Sequence, residues 1–161
     1  MYSLPQGTGG VNIFSQFNNT QQVPGTSSFK LPPAFFDGFS CIAVVGLSPK
    51  SNRPSHQVAR YLLAVGYTVV PVNPGHNEVM GLPCYPDLLS IERPVDLINI
   101  FRRSECVPPI VRDAVTIGAG VIWMQQGVIN QRATHAAEQA GLQVIMDCCL
   151  KIEHMRSVAD R

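Results

Sequence analysis

After Phe39 one phrase recurs along the chain: a short apolar run, a polar loop, an amphipathic stretch, then glycine and another apolar run. The runs are CIAVVG (Cys41 to Gly46), YTVVPV (Tyr67 to Val72), VDLINIF (Val95 to Phe101), GVIWMQ (Gly120 to Gln125) and QVIMDC (Gln143 to Cys148). They are rich in Val and Ile without clean alternation, which suits strands covered on both faces. Parallel strands joined by helices must cross over right-handedly. The phrase therefore predicts an α/β fold, a doubly wound, Rossmann-like parallel sheet of about five strands with helices on both faces.

The connecting segments carry helix punctuation. Pro54 to Ala64 has Val58, Ala59, Leu62 and Leu63 at helical spacing, a proline suited to a first turn, and Gly66 as a stop. Val107, Ile110, Val111, Ala114 and Val115 mark a second helix, whose hydrogen-bonded body starts late because of Pro108-Pro109. Asn130 can cap a third, with Ala133, Ala136, Ala137 and Ala140 inward and Gly141 closing it. Residues from about Leu150 to Arg156 read as a short terminal helix.

The 161 residues fit one core. Met1 to Phe29 contains no Asp, Glu, Lys or Arg, and residues 1–37 read as a flexible polar extension with Pro32-Pro33 as a stiff hinge into a domain over 38–161. A formal net charge of +1 with 14% charged residues provides no broad basic field, so nucleic acid is not the expected partner. No apolar stretch approaches the ~20 residues of a membrane span, and the opening residues have neither the cationic nor the apolar region of an export signal. Five cysteines, without C-x-x-C spacing, fit reduced thiols in a cytoplasm.

In such sheets ligands bind beyond the carboxyl ends of the strands, at the switch in strand order. The first of those ends reads Ile42 to Arg53, IAVVGLSPKSNR. A strand, a glycine and a cationic polar loop before a helix start present backbone N–H groups and positive charge to a phosphate. Gly46 allows close approach of a ligand, Leu47 continues the loop, Ser48 and Ser51 offer hydroxyls, and Lys50 and Arg53 neutralise charge. The loop is not the G-x-G-x-x-G dinucleotide fingerprint, since only the first glycine is present.

The second strand runs into Val72-Asn73-Pro74-Gly75, lacking the acidic residue that holds the ribose of NAD. Asn73 and Pro74 read either as contacts to a base or sugar or as a plain turn pair. Arg102 and Arg103 end the third strand, suited to bidentate phosphate contacts or to pairing with Glu105 or Asp113. Trp123 reads as core and Gln125 as the better polar candidate after the fourth strand. His56, His76, His135 and His154 have no triad or metal-ligand spacing and read as surface or capping residues. No nucleophile, paired carboxylate or P-loop stands out.

Taken together, AVVGLSPKSNRPSHQVARYL, GYTVVPVNPGHNEVMGLPCYPDL, VDLINIFRRSE, VIWMQQGV and AGLQVIMDCCLKIEH resemble the small stand-alone CoA-binding domain proteins. These are related to the nucleotide-binding domain of the succinyl-CoA synthetase alpha subunit. The resemblance covers about Phe39 to His154. It implies a Rossmann-like fold whose ligand is coenzyme A or an acyl-CoA, with the phosphates near Gly46, Ser48, Lys50 and Arg53 and the adenosine close to Asn73-Pro74. It also implies that Arg102 and Arg103, which match a Phe-Arg-Arg run, face the ligand. Leu47 departs from the family, where alanine is common, and so does Cys148-Cys149. The phosphohistidine domain of the larger synthetases has no room in this length. The expected function is ligand binding without self-contained catalysis. The alternatives are one part of an acyl-CoA synthetase or acyltransferase completed by another subunit, or an NAD-type redox sensor. A homo-oligomer or a synthetase-like partner fits either of the first two.

Overall fold

In the computed structural model, residues 30–161 are described, so the reading of residues 1–29 falls outside them. Five parallel strands form the sheet: β1 (Cys41–Val45), β2 (Thr68–Val72), β5 (Leu97–Ile100), β6 (Val121–Met124) and β7 (Gln143–Ile145). Their order is β2-β1-β5-β6-β7, with each of the five predicted runs supplying one strand. From β1 the chain moves outward to β2, then returns past β1 to β5. That reversal puts the switch point between the carboxyl ends of β1 and β5.

Strand alternation splits the apolar residues between two layers. Ala43, Val45, Val72, Ile98, Ile100 and Met124 share one core with α2 (Val107–Ile117) and α3 (Gln131–Gln139), packed through Val107, Val111, Ala114, Ala133 and Ala137. On the other side α1 (Pro54–Ala64) buries Val58, Ala59 and Leu62 and contacts α4 (Leu150–Ala159). The sheet is thus covered on both faces, the doubly wound arrangement expected.

Local chemistry explains the boundaries. Pro54 occupies the first turn of α1, and Pro108 and Pro109 lie in the first turn of α2, where their missing N–H groups cost nothing. Asn130 caps α3, its side chain accepting from Ala133 N at 2.9 Å. Ala136 and Ala140, expected inward, are exposed; only Ala133 and Ala137 of that stripe are buried, because a helix this short rests a narrow edge on the sheet.

Between β2 and β5 the crossover is largely irregular. The two-residue strands β3 (Glu78–Val79) and β4 (Leu82–Pro83) form a small antiparallel pair, and Leu88, Ile91 and Val95 cover the sheet in place of a helix.

Leu31–Arg161 form one compact unit. Leu31 and Phe36 are buried, and Phe36 packs its ring near Trp123 and His154 at centroid separations of 6.0 and 4.9 Å. The buried side chains of Leu31 and Phe36 dock residues 31–37 on the domain.

Candidate functional site

Gly46 ends β1 at φ +86°, with its N–H donating to Val72 O at 2.8 Å. A Cβ there would lie 2.6 Å from the carbonyl oxygen of Phe101 and 3.4 Å from Cδ of Arg102. Glycine is therefore required by the close approach of β1 and β5 ends, independently of any ligand. Leu47 turns inward and is fully buried, which anchors the loop.

Beyond it the loop is built by its own hydrogen bonds. Ser48 N donates to Ser55 Oγ at 3.1 Å, Lys50 N to Ser48 Oγ at 3.2 Å, and His56 Nδ1 to Ser48 O at 3.0 Å. Arg53 occupies the N-cap of α1 and no side chain caps that helix. Lys50 and Arg53 are exposed, and neither makes an ion pair among the described residues. An uncapped helix start with two unpaired cations makes this turn locally electropositive.

Asn73 ties this loop to the end of β2. Its Nδ2 donates to Leu47 O at 3.1 Å and its Oδ1 accepts from Gly75 N at 3.1 Å, so both ends of the amide hold the loops in register. Pro74 is exposed beside it.

On the α2 side of the same edge lies a cavity of about 320 Å³. Val45, Val72, Pro74 and Ile110 line it together with Arg102 and Asp113. Arg102 is half-buried there, whereas Arg103 projects outward beside Glu105 at 3.7 Å. The Arg pair is thus divided, one guanidinium at the cavity and one in solvent. Asp113 follows Arg112 on α2, and only its helical phase relative to Ile110 points to this cavity in the sequence.

The remaining candidates lie elsewhere. Gln125 is buried and its Oε1 accepts from Leu150 N at 2.9 Å, securing the start of α4. Trp123 is core, as its type suggests, with Nε1 donating to Cys148 O at 2.9 Å. His154 is not a surface residue. It is buried against Phe36, Tyr61 and Tyr67, its Nδ1 hydrogen-bonded to the Tyr61 hydroxyl at 2.7 Å. Burial, and then Arg161, push its pKa down. The five thiols are unbridged. Burial pushes the Cys41, Cys84 and Cys148 thiols up, away from reactive thiolate. Among the described residues no cluster of His, Cys, Asp and Glu has metal-binding geometry, and no helix is long and apolar enough to cross a membrane.

A family model described as the CoA binding domain matches residues 40–155, the whole sheet with its switch-point loops. The chain belongs to the CoA-binding domain family. Among relatives of this CoA-binding domain, the uncharacterized protein YneT of Bacillus subtilis is 41% identical over 113 residues, covering 70% of this chain and 84% of YneT. An ADP-forming acetate–CoA ligase of Archaeoglobus fulgidus is 31% identical over 121 residues, covering 68% of this chain but 17% of the ligase. A solved structure of a hypothetical protein from Pyrococcus horikoshii superposes with a TM-score of 0.78 at 33% identity, covering 84% of this chain and 99% of that one. The same module therefore occurs both alone and inside a much longer ligase.

Proposed function

We propose that this CoA-binding domain holds coenzyme A or an acyl-CoA at the β1/β5 switch point, with the diphosphate on the Gly46–Arg53 turn. The observation that carries the reading is the pair of unpaired cations, Lys50 and Arg53, at the uncapped start of α1. Ser48 and Leu47 fix the turn's shape, and Arg102 supplies a further guanidinium from β5. Asn73 acts by holding the turn, and Pro74 offers an exposed flat ring to the adenosine. Arg103, turned to solvent beside Glu105, and Gln125, bound to α4, are the weakest of the ligand contacts expected. Five unbridged thiols support a reducing compartment such as the cytoplasm.

Thermal unfolding with CoA, acetyl-CoA, NAD, NADP and ATP in parallel tests the ligand. A ligand present at ~100-fold its Kd adds ~2.7 kcal/mol. CoA should stabilise and NAD should not, because Asn73 stands where an NAD site has a carboxylate for the ribose. Equal shifts by both, or none by CoA, would overturn the assignment.

A second reading is favoured by the 17% share of the ligase that this chain matches. In it the domain is the CoA-holding part of a synthetase or acyltransferase completed by another chain. Co-purification of a partner that confers CoA-dependent turnover would establish it, and turnover by the isolated chain would refute it.

A further inference from the structure

We propose that His56 is a positioning residue of the Gly46–Arg53 turn: without touching the ligand, its imidazole ties the Ser48 carbonyl back to α1 and thereby sets the turn's affinity for a diphosphate. The inference rests on the CoA reading and deepens it by naming a residue that shapes the site from behind.

His56 lies in the first turn of α1, half-buried, with Nδ1 3.0 Å from the Ser48 carbonyl oxygen. A carbonyl only accepts, so Nδ1 carries a proton whether the ring is neutral or charged. Nothing else restrains this helix start. No side chain caps it, no acidic residue stands in its first turn, and the charged residues of the turn and of α1 are the cations Lys50, Arg53 and Arg60.

Ser48 is consequently held at three atoms. Its N donates to Ser55 Oγ at 3.1 Å, its O accepts from His56, and its Oγ accepts from Lys50 N at 3.2 Å. Two of those partners, Ser55 and His56, are neighbours on α1, so the helix start clamps Ser48 from one side. The N–H groups of Ser48 and Lys50 are thus satisfied inside the turn, and an anion is left to the side chains. Lys50 and Arg53 bring charge, and the Ser48 hydroxyl brings a proton that has no acceptor among the described residues. Charge-assisted hydrogen bonds depend on fixed geometry. Released from His56, the Ser48 carbonyl could turn the negative end of its dipole toward the same anion, and the hydroxyl would lose its aim.

The test is calorimetric titration of the full chain with CoA at about pH 8 and about pH 6, on either side of the ordinary histidine value. His56→Leu, which keeps bulk but has no donor, should bind about ten-fold more weakly than the unmodified chain. His56→Asn, whose amide nitrogen stands near the Nδ1 position, should restore binding to within about three-fold. Ser48→Ala should weaken binding about ten-fold alone but less than about three-fold on top of His56→Leu, because the two residues act in series. The Kd ratio of His56→Asn to the unmodified chain should not change with pH, since Nδ1 keeps its proton in either charge state; a charged ring touching phosphate would widen the ratio at the lower pH. Should His56→Leu melt early, His56→Gln, whose amide nitrogen reaches the Nε2 position instead, takes its place with the same loss expected. Full affinity without the Nδ1 donor, no rescue by His56→Asn, additive losses with Ser48→Ala, or a ratio that widens on acidification would each overturn the assignment. If the unmodified chain binds no CoA, the CoA reading itself fails and takes this one with it; if CoA binds and His56→Leu binds it equally, only the role of His56 falls.

Discussion

Two regions of the molecule treat their polar groups in opposite ways. Where residues 31–39 clasp α4 and Trp123, every notable group is paired: Ser157 Oγ donates to Pro33 O at 2.9 Å, Arg161 pairs with Asp37, and Tyr61 meets His154. At the carboxyl edge of the sheet the amide of Asn73 is engaged at both ends, yet the start of α1 is uncapped and Lys50, Arg53, Arg102 and Asp113 have no partners among the described residues. Side chains that stabilise the fold are saturated by it, while those left over are available to a ligand. Mutations should therefore separate cleanly, stability changing at the clasp and affinity at the edge.

The largest effect expected is on stability, from Phe36→Ala. Removing a ring that is 2% exposed and packed on Trp123 and His154 should cost about 3–5 kcal/mol in chemical denaturation. The Kd for CoA of the fraction that remains folded should not change. A loss below 1 kcal/mol would mean that the clasp is ornamental (about one-third of the lower bound). Gly46→Ala comes next and deliberately violates the separation, because this residue serves both regions' logic at once. Positive φ and a Cβ 2.6 Å from Phe101 O should cost about 2–3 kcal/mol, and CoA binding should be lost as β1 and β5 ends move apart. Melting and binding that both stay at wild-type values would remove the switch-point packing argument.

Lys50→Ala combined with Arg53→Ala probes the edge alone. Both side chains are exposed and unpaired, so the melting temperature without ligand should stay within what ±0.5 kcal/mol allows. CoA affinity should fall by about 30-fold at low ionic strength, and the gap to wild type should narrow as salt is added. An unchanged Kd in dilute buffer would release the turn from its phosphate role.

Much of this was legible in the residues because the periods are local. Strand runs, the Pro54 start of α1 and the Asn130 cap depend on a few neighbouring side chains, and the fold places them as expected. What stayed hidden depends on distant partners. Gly46 looks like a ligand-approach glycine until Phe101 is seen behind it, and Asn73 looks free until Leu47 O is found on its amide. Asn99 sits within an apolar strand sequence, fully buried, with neither amide atom partnered among the described residues; nothing in LINI announces that. Phe36 and His154 are 118 positions apart, and no periodic pattern links them. Local rules thus predict the elements well, and leave tertiary polar pairing unread.

The smallest effect tests whether the clasp responds to pH while the edge does not. His154 has its folded pKa lowered from 6.5, chiefly by burial and secondly by Arg161. The folded state therefore resists a proton that the unfolded chain accepts. Above pH 6.5 both states are neutral and the residue contributes no pH slope; below it the unfolded chain binds more protons and stability falls, levelling off beneath the folded pKa. Arg161, whose charge acts on this ring, is itself paired with Asp37 of the clasp, and the neighbouring buried Glu153 is paired with Arg156 at 2.7 Å. Melting temperature followed from pH 7.5 to pH 5 (roughly 1 unit above and 1.5 below the ordinary histidine value) should decline more steeply in the wild type than in His154→Phe. Parallel slopes would place the acid sensitivity elsewhere. A Kd for CoA that tracked the His154 slope would show the two regions to be coupled, against the division that their hydrogen bonding implies.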